Sequence, residues 1–179
     1  MGLPALSEKE PVPCSFLSLM GLHHALDELF LQHQEALLSL DMDQAIERLG
    51  VYEGELLAHM RDEEERLLPV YATRAGRIPG GPVEFFLGEH RKMREFLDSF
   101  HADLRRMRIE PLAVRRRSVI ALMDHQAMYK HLVEHHDLRE KNILYPQLDR
   151  VTSEAERLML LQECHGAPEH GRQNVKARG

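Results

Sequence analysis

The sequence predicts an all-α protein, folded as an up-down-up-down four-helix bundle with a short C-terminal fifth helix. Aromatic residues make up only 6% of the 179 residues and Trp is absent, a composition that favours helix over strand. Four long stretches space their apolar residues as one face of a helix does. The breaks between these stretches are short, and short connections make consecutive helices antiparallel neighbours.

The four long helices are predicted at about 14–40, 42–71, 83–108 and 112–144. Asp41 has the position of an N-cap for the second helix, and Ser153 with Glu156 has the pattern of a capping box that opens the fifth. The Pro- and Gly-rich segment 77–82 is predicted to be a loop. The predicted organisation is therefore a flexible N-terminal tail at 1–13, the bundle at 14–150, the short helix at 151–165 and a disordered tail at 166–179.

Composition and charge argue against several classes of protein. A net charge of −6 offers no basic surface for nucleic acid. There is no run of about 18 apolar residues, so no membrane span is expected, and residues 1–13 lack the pattern of a signal peptide. The two cysteines lie near opposite ends of the chain and suggest no disulfide framework. A cytoplasmic protein is expected, with no prediction of its oligomeric state.

One group of five residues occurs twice in the sequence. Each member of the second copy lies 77 positions after its counterpart, as 136 does after 59; the copies are Tyr52, His59, Glu63, Leu67, Pro69 and Tyr129, His136, Glu140, Leu144, Pro146. A shorter group recurs at an offset of 67, as Gly21, His23, Leu26, Glu28 and Gly88, His90, Met93, Glu95. The order His, then His-x-x-x-Glu, is therefore present once in each half of the chain.

These repeated residues predict a site for two metal ions. Residues four apart lie on one face of a helix, so each His-x-x-x-Glu pair projects together from an apolar stripe. A Glu on such a stripe is costly unless it is paired or bound to metal. Six ligands are too many for one tetrahedral zinc but suit two metals that share both carboxylates, with an oxo or hydroxo bridge and an open position on each. The predicted ligands are His23, His59, Glu63, His90, His136 and Glu140.

Two of these assignments involve a choice between adjacent histidines. The repeat and the apolar stripe favour His23 over His24 and His136 over His135. Tyr52 and Tyr129 fall two turns before His59 and His136 and would line the open face, as hydrogen-bond partners or oxidisable groups. No residue is assigned a catalytic role, and whether the protein turns over a substrate stays open.

The residues that carry this pattern resemble the hemerythrin-type, His-His-Glu cation-binding family over about 17–148. The closest segments to the family hallmark are HMRDEEERLLP at 59–69 and HHDLREKNILYP at 135–146. The resemblance implies a non-haem centre of two iron ions in a four-helix bundle, with zinc and manganese as the alternatives. The chain departs from the oxygen-carrying hemerythrins at Arg94, where those proteins have a further His, and their last ligand pair has one more residue of spacing.

The loss of one His is expected to leave the two metals more alike and more open than in an oxygen carrier. Such a site is similar to those of hemerythrin-like iron sensors and nitrosative-stress repair proteins. The predicted function is therefore to bind or reduce O2, NO or peroxide, in an oxidative or nitrosative stress response. Electrons for an enzyme would come from an external donor, because the sequence has no flavin or nicotinamide fingerprint. The alternative is a metal- or redox-sensing interaction module without turnover.

Overall fold

The computed structural model of this chain describes residues 14–164 and is helical, without strands, over that range. A 3-10 turn at Phe16–Leu19 leads into the first helix. The helices are α1 (Met20–Leu38), α2 (Met42–Asp62), α3 (Leu68–Arg74), α4 (Val83–Arg108), α5 (Leu112–Arg139), α6 (Tyr145–Val151) and α7 (Glu154–Glu163). The predicted tails, 1–13 and 166–179, and residue 165 lie outside the described residues.

Two turns of π-helix join α2 to α3 and α5 to α6. They span Glu63–Leu67 and Glu140–Leu144, and a proline follows each at the start of the next helix. Proline lacks an N–H and its ring clashes with the carbonyl four residues before it, so an α-helical hydrogen bond cannot form there. Each predicted long helix at 42–71 and 112–144 therefore continues through a wider turn and ends later, at Arg74 and Val151.

The four long helices contact one another in the cyclic order α1, α2, α4, α5, as expected of a helical bundle. Their buried apolar residues form two separate clusters. One contains residues such as Leu26, Leu56 and Met93, and the other contains Phe86 and Leu144 with residues of α3 and α6. A layer of buried polar residues lies between the two clusters along each long helix.

The capping signals in the sequence are confirmed. The Asp41 side chain accepts a hydrogen bond from the backbone N–H of Gln44. Ser153 and Glu156 form a reciprocal capping box at the start of α7, which stabilises a helix of only ten residues by satisfying N–H groups that have no helical partner. Among residues 14–164, no helix has both the length and the apolar character that crossing a membrane requires.

Candidate metal centre

The polar layer between the two apolar clusters contains all six residues that the sequence predicts as ligands. Each is at most 4% exposed to solvent. The long helices α1 and α4 contribute one His each, while α2 and α5 contribute one His each and lead directly into a π-turn that begins with the Glu. His24 and His135, the neighbours that the repeat disfavoured, are solvent-exposed. The six side chains are His23, His59, Glu63, His90, His136 and Glu140.

The four imidazoles form two close pairs. The Nε2 atoms of His23 and His59 are 2.9 Å apart, and those of His90 and His136 are 3.1 Å apart. Neighbouring donors of an octahedral metal with bonds of about 2.1 Å stand about 3.0 Å apart. The spacing of each pair therefore suits two ligands of one ion.

Each carboxylate directs its two oxygens to different imidazole pairs. Glu63 has Oε1 3.7 Å from Nε2 of His59 and Oε2 3.4 Å from Nε2 of His90. Glu140 has Oε2 3.2 Å from Nε2 of His23 and Oε1 2.6 Å from Nε2 of His136. Two carboxylates placed in this way could bridge two metal ions.

The π-turns fix where these carboxylates lie. The backbone N–H of Leu68 donates to the carbonyl of Glu63, and that of Tyr145 donates to the carbonyl of Glu140, five residues earlier in both cases. Each π-turn thus begins at a predicted ligand and is followed, after one residue, by a repeated proline. The repeated prolines therefore accompany the π-turns, because proline cannot donate an α-helical hydrogen bond. Such π-turns in helices often occur at functional sites.

A second ring of carboxylates contacts the outer nitrogens of three imidazoles. Asp137 Oδ1 is 3.1 Å from Nδ1 of His23, Glu64 Oε1 is 2.8 Å from Nδ1 of His90, and Glu89 Oε2 is 3.0 Å from Nδ1 of His136. Such contacts orient a metal-binding imidazole with Nε2 towards the ion. The two sequence repeats did not point to these three carboxylates.

Their position along the chain offers a signal for finding them. Asp137, Glu64 and Glu89 each adjoin a predicted ligand of their own helix or π-turn. Successive helical residues point about 100° apart, so the neighbour of an inward residue faces the next helix. Each carboxylate accordingly contacts the imidazole of an adjacent helix in the cyclic order of the bundle.

Two arginines hold two of the outer carboxylates. Arg94 donates to Oε1 of Glu64 at 3.0 Å, and Arg139 donates to Oε1 of Glu89 at 2.9 Å. Arg94 is the residue at which the sequence is expected to depart from the oxygen-carrying hemerythrins. It does not enter the ligand cluster, but it contacts a carboxylate that orients His90.

The charges of the cluster are strongly coupled. Burial lowers the pKa of His23, but the nearby carboxylates of Asp137 and Glu140 outweigh that effect and raise the pKa to about 9. Burial and repulsion from Glu63 raise the pKa of Glu140 to about 7. Burial also opposes ionisation of Glu63, yet the imidazoles of His59 and His90 hold its pKa well below the usual range. Protons thus stabilise buried charges here, a role that a cation can take over.

The donor set fits metal ions. Oε2 of Glu63 and Oε1 of Glu140 are buried without a hydrogen bond of good geometry among the described residues, although imidazole nitrogens are close. Two groups of donor atoms, each within 4.8 Å of one another, could hold an ion: Glu63, His90, His136 and Glu140 in one, and His23, His59 and Glu140 in the other. Imidazole and carboxylate suit iron, zinc and manganese.

Tyr145 is a further polar residue of the cluster that the sequence analysis missed. It is fully buried, and its hydroxyl donates to Oε1 of Glu63 at 2.7 Å, with Oε2 of Glu140 at 3.2 Å. Burial and the two carboxylates raise its pKa well above the usual range. Its counterpart 77 positions earlier is Leu68. This mismatch between the two halves was the only signal in the sequence.

Tyr52 and Tyr129 face each other rather than the predicted ligands. Their hydroxyl oxygens are 2.5 Å apart in the apolar core. Tyr52 lines a small cavity of about 20 Å³ that His23, His59 and His136 also line. Both tyrosines line a larger pocket of about 530 Å³ between α1 and α5, which shares Asp27, Tyr52, Val133 and Asp137 with the small cavity.

Fold and cluster together define a class of protein, the helical bundle with a buried His/Glu site able to hold metal. The family Hemerythrin HHE cation binding domain matches residues 18–158. The chain therefore belongs to the hemerythrin HHE cation-binding family. No curated protein and no solved structure matched the chain significantly.

Proposed function

We propose that this chain is a non-haem di-iron protein that binds or reduces a small ligand, O2, NO or peroxide, at a two-metal site. The observation that carries the proposal is the pair of buried carboxylates, each with its two oxygens towards different imidazole pairs. In this arrangement His23 and His59 would hold one metal and His90 and His136 the other, with Glu63 and Glu140 shared between them.

The cavity beside the cluster supports a small ligand. About 20 Å³ is room for a water-sized molecule, and Leu26, Leu56 and Met93 give it apolar walls. A larger organic substrate would have to stop in the outer pocket between α1 and α5. When bound, an iron pair would supply open coordination positions and a change of oxidation state, while the protein limits which molecules reach it.

Other residues around the predicted ligands orient the imidazoles and exclude water from the polar layer. Asp137, Glu64 and Glu89 hold three imidazoles in the orientation that presents Nε2 to the ion. The two apolar clusters on either side exclude bulk water and strengthen the electrostatic interactions within the layer. Reduction of a ligand would draw electrons from an external donor, and a role in oxidative or nitrosative stress response would follow from that chemistry.

Anaerobic iron reconstitution tests the proposal. We expect two irons per chain and, after oxidation, an EPR-silent coupled ferric pair; His59→Ala should lower the iron count. His131→Ala, which removes an exposed imidazole, is the control and should load normally. Exposure of the ferrous protein to O2, NO and peroxide then identifies the ligand by its absorption change. One iron per chain, or a two-iron protein without the coupled ferric signature after oxidation, would contradict the di-iron assignment.

A metal- or redox-sensing module without turnover is the second candidate. It is favoured by the way one cluster joins all four long helices through side chains that are costly to bury without metal. Metal occupancy would then control the stability of the bundle and, through it, access of a partner. Catalytic turnover of NO or peroxide by the loaded protein would favour the enzyme, and its absence would favour the sensor.

A further inference from the structure

The residue that distinguishes the two half-sites is Tyr145. Glu63 and Glu140 begin equivalent π-turns, and each turn is followed by one residue and then by a proline. That residue is Leu68 after the first turn and Tyr145 after the second. Both are buried, so their places in the fold are equivalent and only the chemistry of the side chain differs.

The Tyr145 hydroxyl lies among the donor atoms of one imidazole pair. It is 3.3 Å from Nε2 of His23, 2.7 Å from Oε1 of Glu63 and 3.2 Å from Oε2 of Glu140. These are the carboxylate oxygens on the side of His23 and His59. The separations match those expected between neighbouring ligands of one octahedral ion, about 3.0 Å.

The side of His90 and His136 has four protein donors: two imidazoles and one oxygen from each carboxylate. The other side has the same four kinds of donor and the phenol oxygen in addition. Oxygen anions are preferred ligands of hard, highly charged cations, and ferric iron is such a cation. The phenol oxygen of Tyr145 is therefore in a position to bind the metal on the side of His23 and His59, and it is too far to one side to bind the other.

We propose that Tyr145 is a phenolate ligand of the metal held by His23 and His59, which makes the two metals of the pair unequal. This inference rests on the proposed di-iron function. The O–H bond of the phenol breaks, a metal–oxygen bond forms in its place, and the proton is released to solvent without a change of oxidation state. Metal binding commonly releases protons from its ligands in this way.

The unequal donor count has a consequence for small ligands. With one octahedral position on each metal taken by a bridging oxygen, five protein donors would leave no open position on the metal of His23 and His59, while four would leave one on the metal of His90 and His136. Small ligands therefore have more room at the second metal. The small cavity is lined by His23, His59 and His136, so it borders both imidazole pairs, and the number of protein donors is what distinguishes the two metals.

Visible absorption and resonance Raman spectroscopy of the ferric protein test this assignment. A phenolate bound to ferric iron gives a charge-transfer band in the visible region, and excitation there enhances phenolate ring vibrations. We expect both signals in the wild type and their loss in Tyr145→Phe, which keeps the ring that packs in the second apolar cluster. The Tyr52→Phe and Tyr129→Phe controls should keep both signals, because these hydroxyls contact each other.

The outcomes separate this inference from the proposed function. Wild-type protein with two irons but no phenolate signal, or a signal that survives Tyr145→Phe, overturns the assignment of Tyr145 alone. In that case the phenol keeps its proton and serves as a hydrogen-bond donor to Glu63. Protein that binds no iron overturns both proposals. A Tyr145→Phe variant that loads two irons, stays folded and loses the band supports the ligand.

Discussion

Glu64 illustrates how a single side chain outside the predicted ligand set positions the site. It contacts Nδ1 of His90 and is itself held by Arg94. We predict that Glu64→Ala weakens metal binding about tenfold to hundredfold, because loss of an outer partner releases the imidazole and lowers its basicity. A competition titration against a chelator measures this change in affinity.

The adjacent Glu65 is the matched control, because it occupies the same π-turn but is exposed. Glu65→Ala should bind metal as the wild type does. Arg94→Ala should weaken binding less than Glu64→Ala, since it leaves the carboxylate in place. Equal affinities of the Glu64→Ala variant and the wild type would show that His90 needs no such support.

His33 is a buried histidine of a different kind. It is fully buried, with Nδ1 2.8 Å from the carbonyl oxygen of Ala45 and Nε2 2.8 Å from the amide nitrogen of Gln126. The ring therefore donates to Ala45 and accepts from Gln126, which requires the neutral form. Burial lowers its pKa to about 4 from the usual 6.5.

This lowered pKa predicts a loss of stability in acid. As pH falls below about 6.5 the unfolded chain takes up the proton first, so the free energy of unfolding decreases until about pH 4, by roughly 3 kcal/mol in total. His33→Gln removes this titration and should show a smaller decrease over the same range. Urea unfolding of chelator-treated protein measures it, with the exposed His131→Gln as control. Parallel curves for the His33→Gln variant and the wild type would contradict the prediction.

The loop between α3 and α4 is fixed to the π-turn that follows α5. Tyr71 donates to the carbonyl of Gly81 at 2.7 Å, and a Cβ at Gly81 would lie 2.6 Å from both the Tyr71 hydroxyl and Cγ2 of Ile143. Gly81→Ala should therefore lower the free energy of unfolding by about 1–3 kcal/mol through overpacking. Gly54→Ala is the control and should raise the free energy of unfolding. Gly54 is exposed within α2 with free space around it, and Ala has a higher helix propensity than Gly. Urea unfolding distinguishes the two; an unchanged Gly81→Ala variant would mean that the loop can move away.

The whole bundle depends on what neutralises its polar layer. Two carboxylates and four imidazoles are buried between two apolar clusters, and a metal that binds only the folded state stabilises it by mass action. At a free metal concentration a thousand times the Kd this amounts to about 4 kcal/mol. For a domain of this size we expect a rise in Tm of roughly 8–16 °C.

Thermal melts with iron and with chelator measure this difference. The His59→Ala variant should show a much smaller rise, because it removes a predicted ligand, whereas His131→Gln should behave as the wild type does. Equal melting temperatures of loaded and chelator-treated wild type would eliminate the sensing hypothesis, since metal occupancy would then have no influence on the fold.

The helical class, the resemblance to the family and the six side chains that meet in one layer could all be predicted from the sequence. Helical spacing places residues three, four and seven apart on one face, so the repeats at offsets of 67 and 77 aligned the two halves without tertiary information. The same periodicity separated His23 from His24 and His136 from His135. The repeated prolines were visible too, although their effect on the helix was not.

Contacts between side chains of different helices could not be predicted from the sequence and became visible in the folded chain. Asp137, Glu64 and Glu89 reach imidazoles of neighbouring helices, and Tyr145 joins the cluster through the wide turn at Glu140. The expectation of two similar metals took no account of Tyr145, whose hydroxyl lies near His23 and has no counterpart near His90 and His136. Spacing along one helix fixes direction about its own axis, but contact between helices depends on how they pack, and no single-helix pattern encodes that.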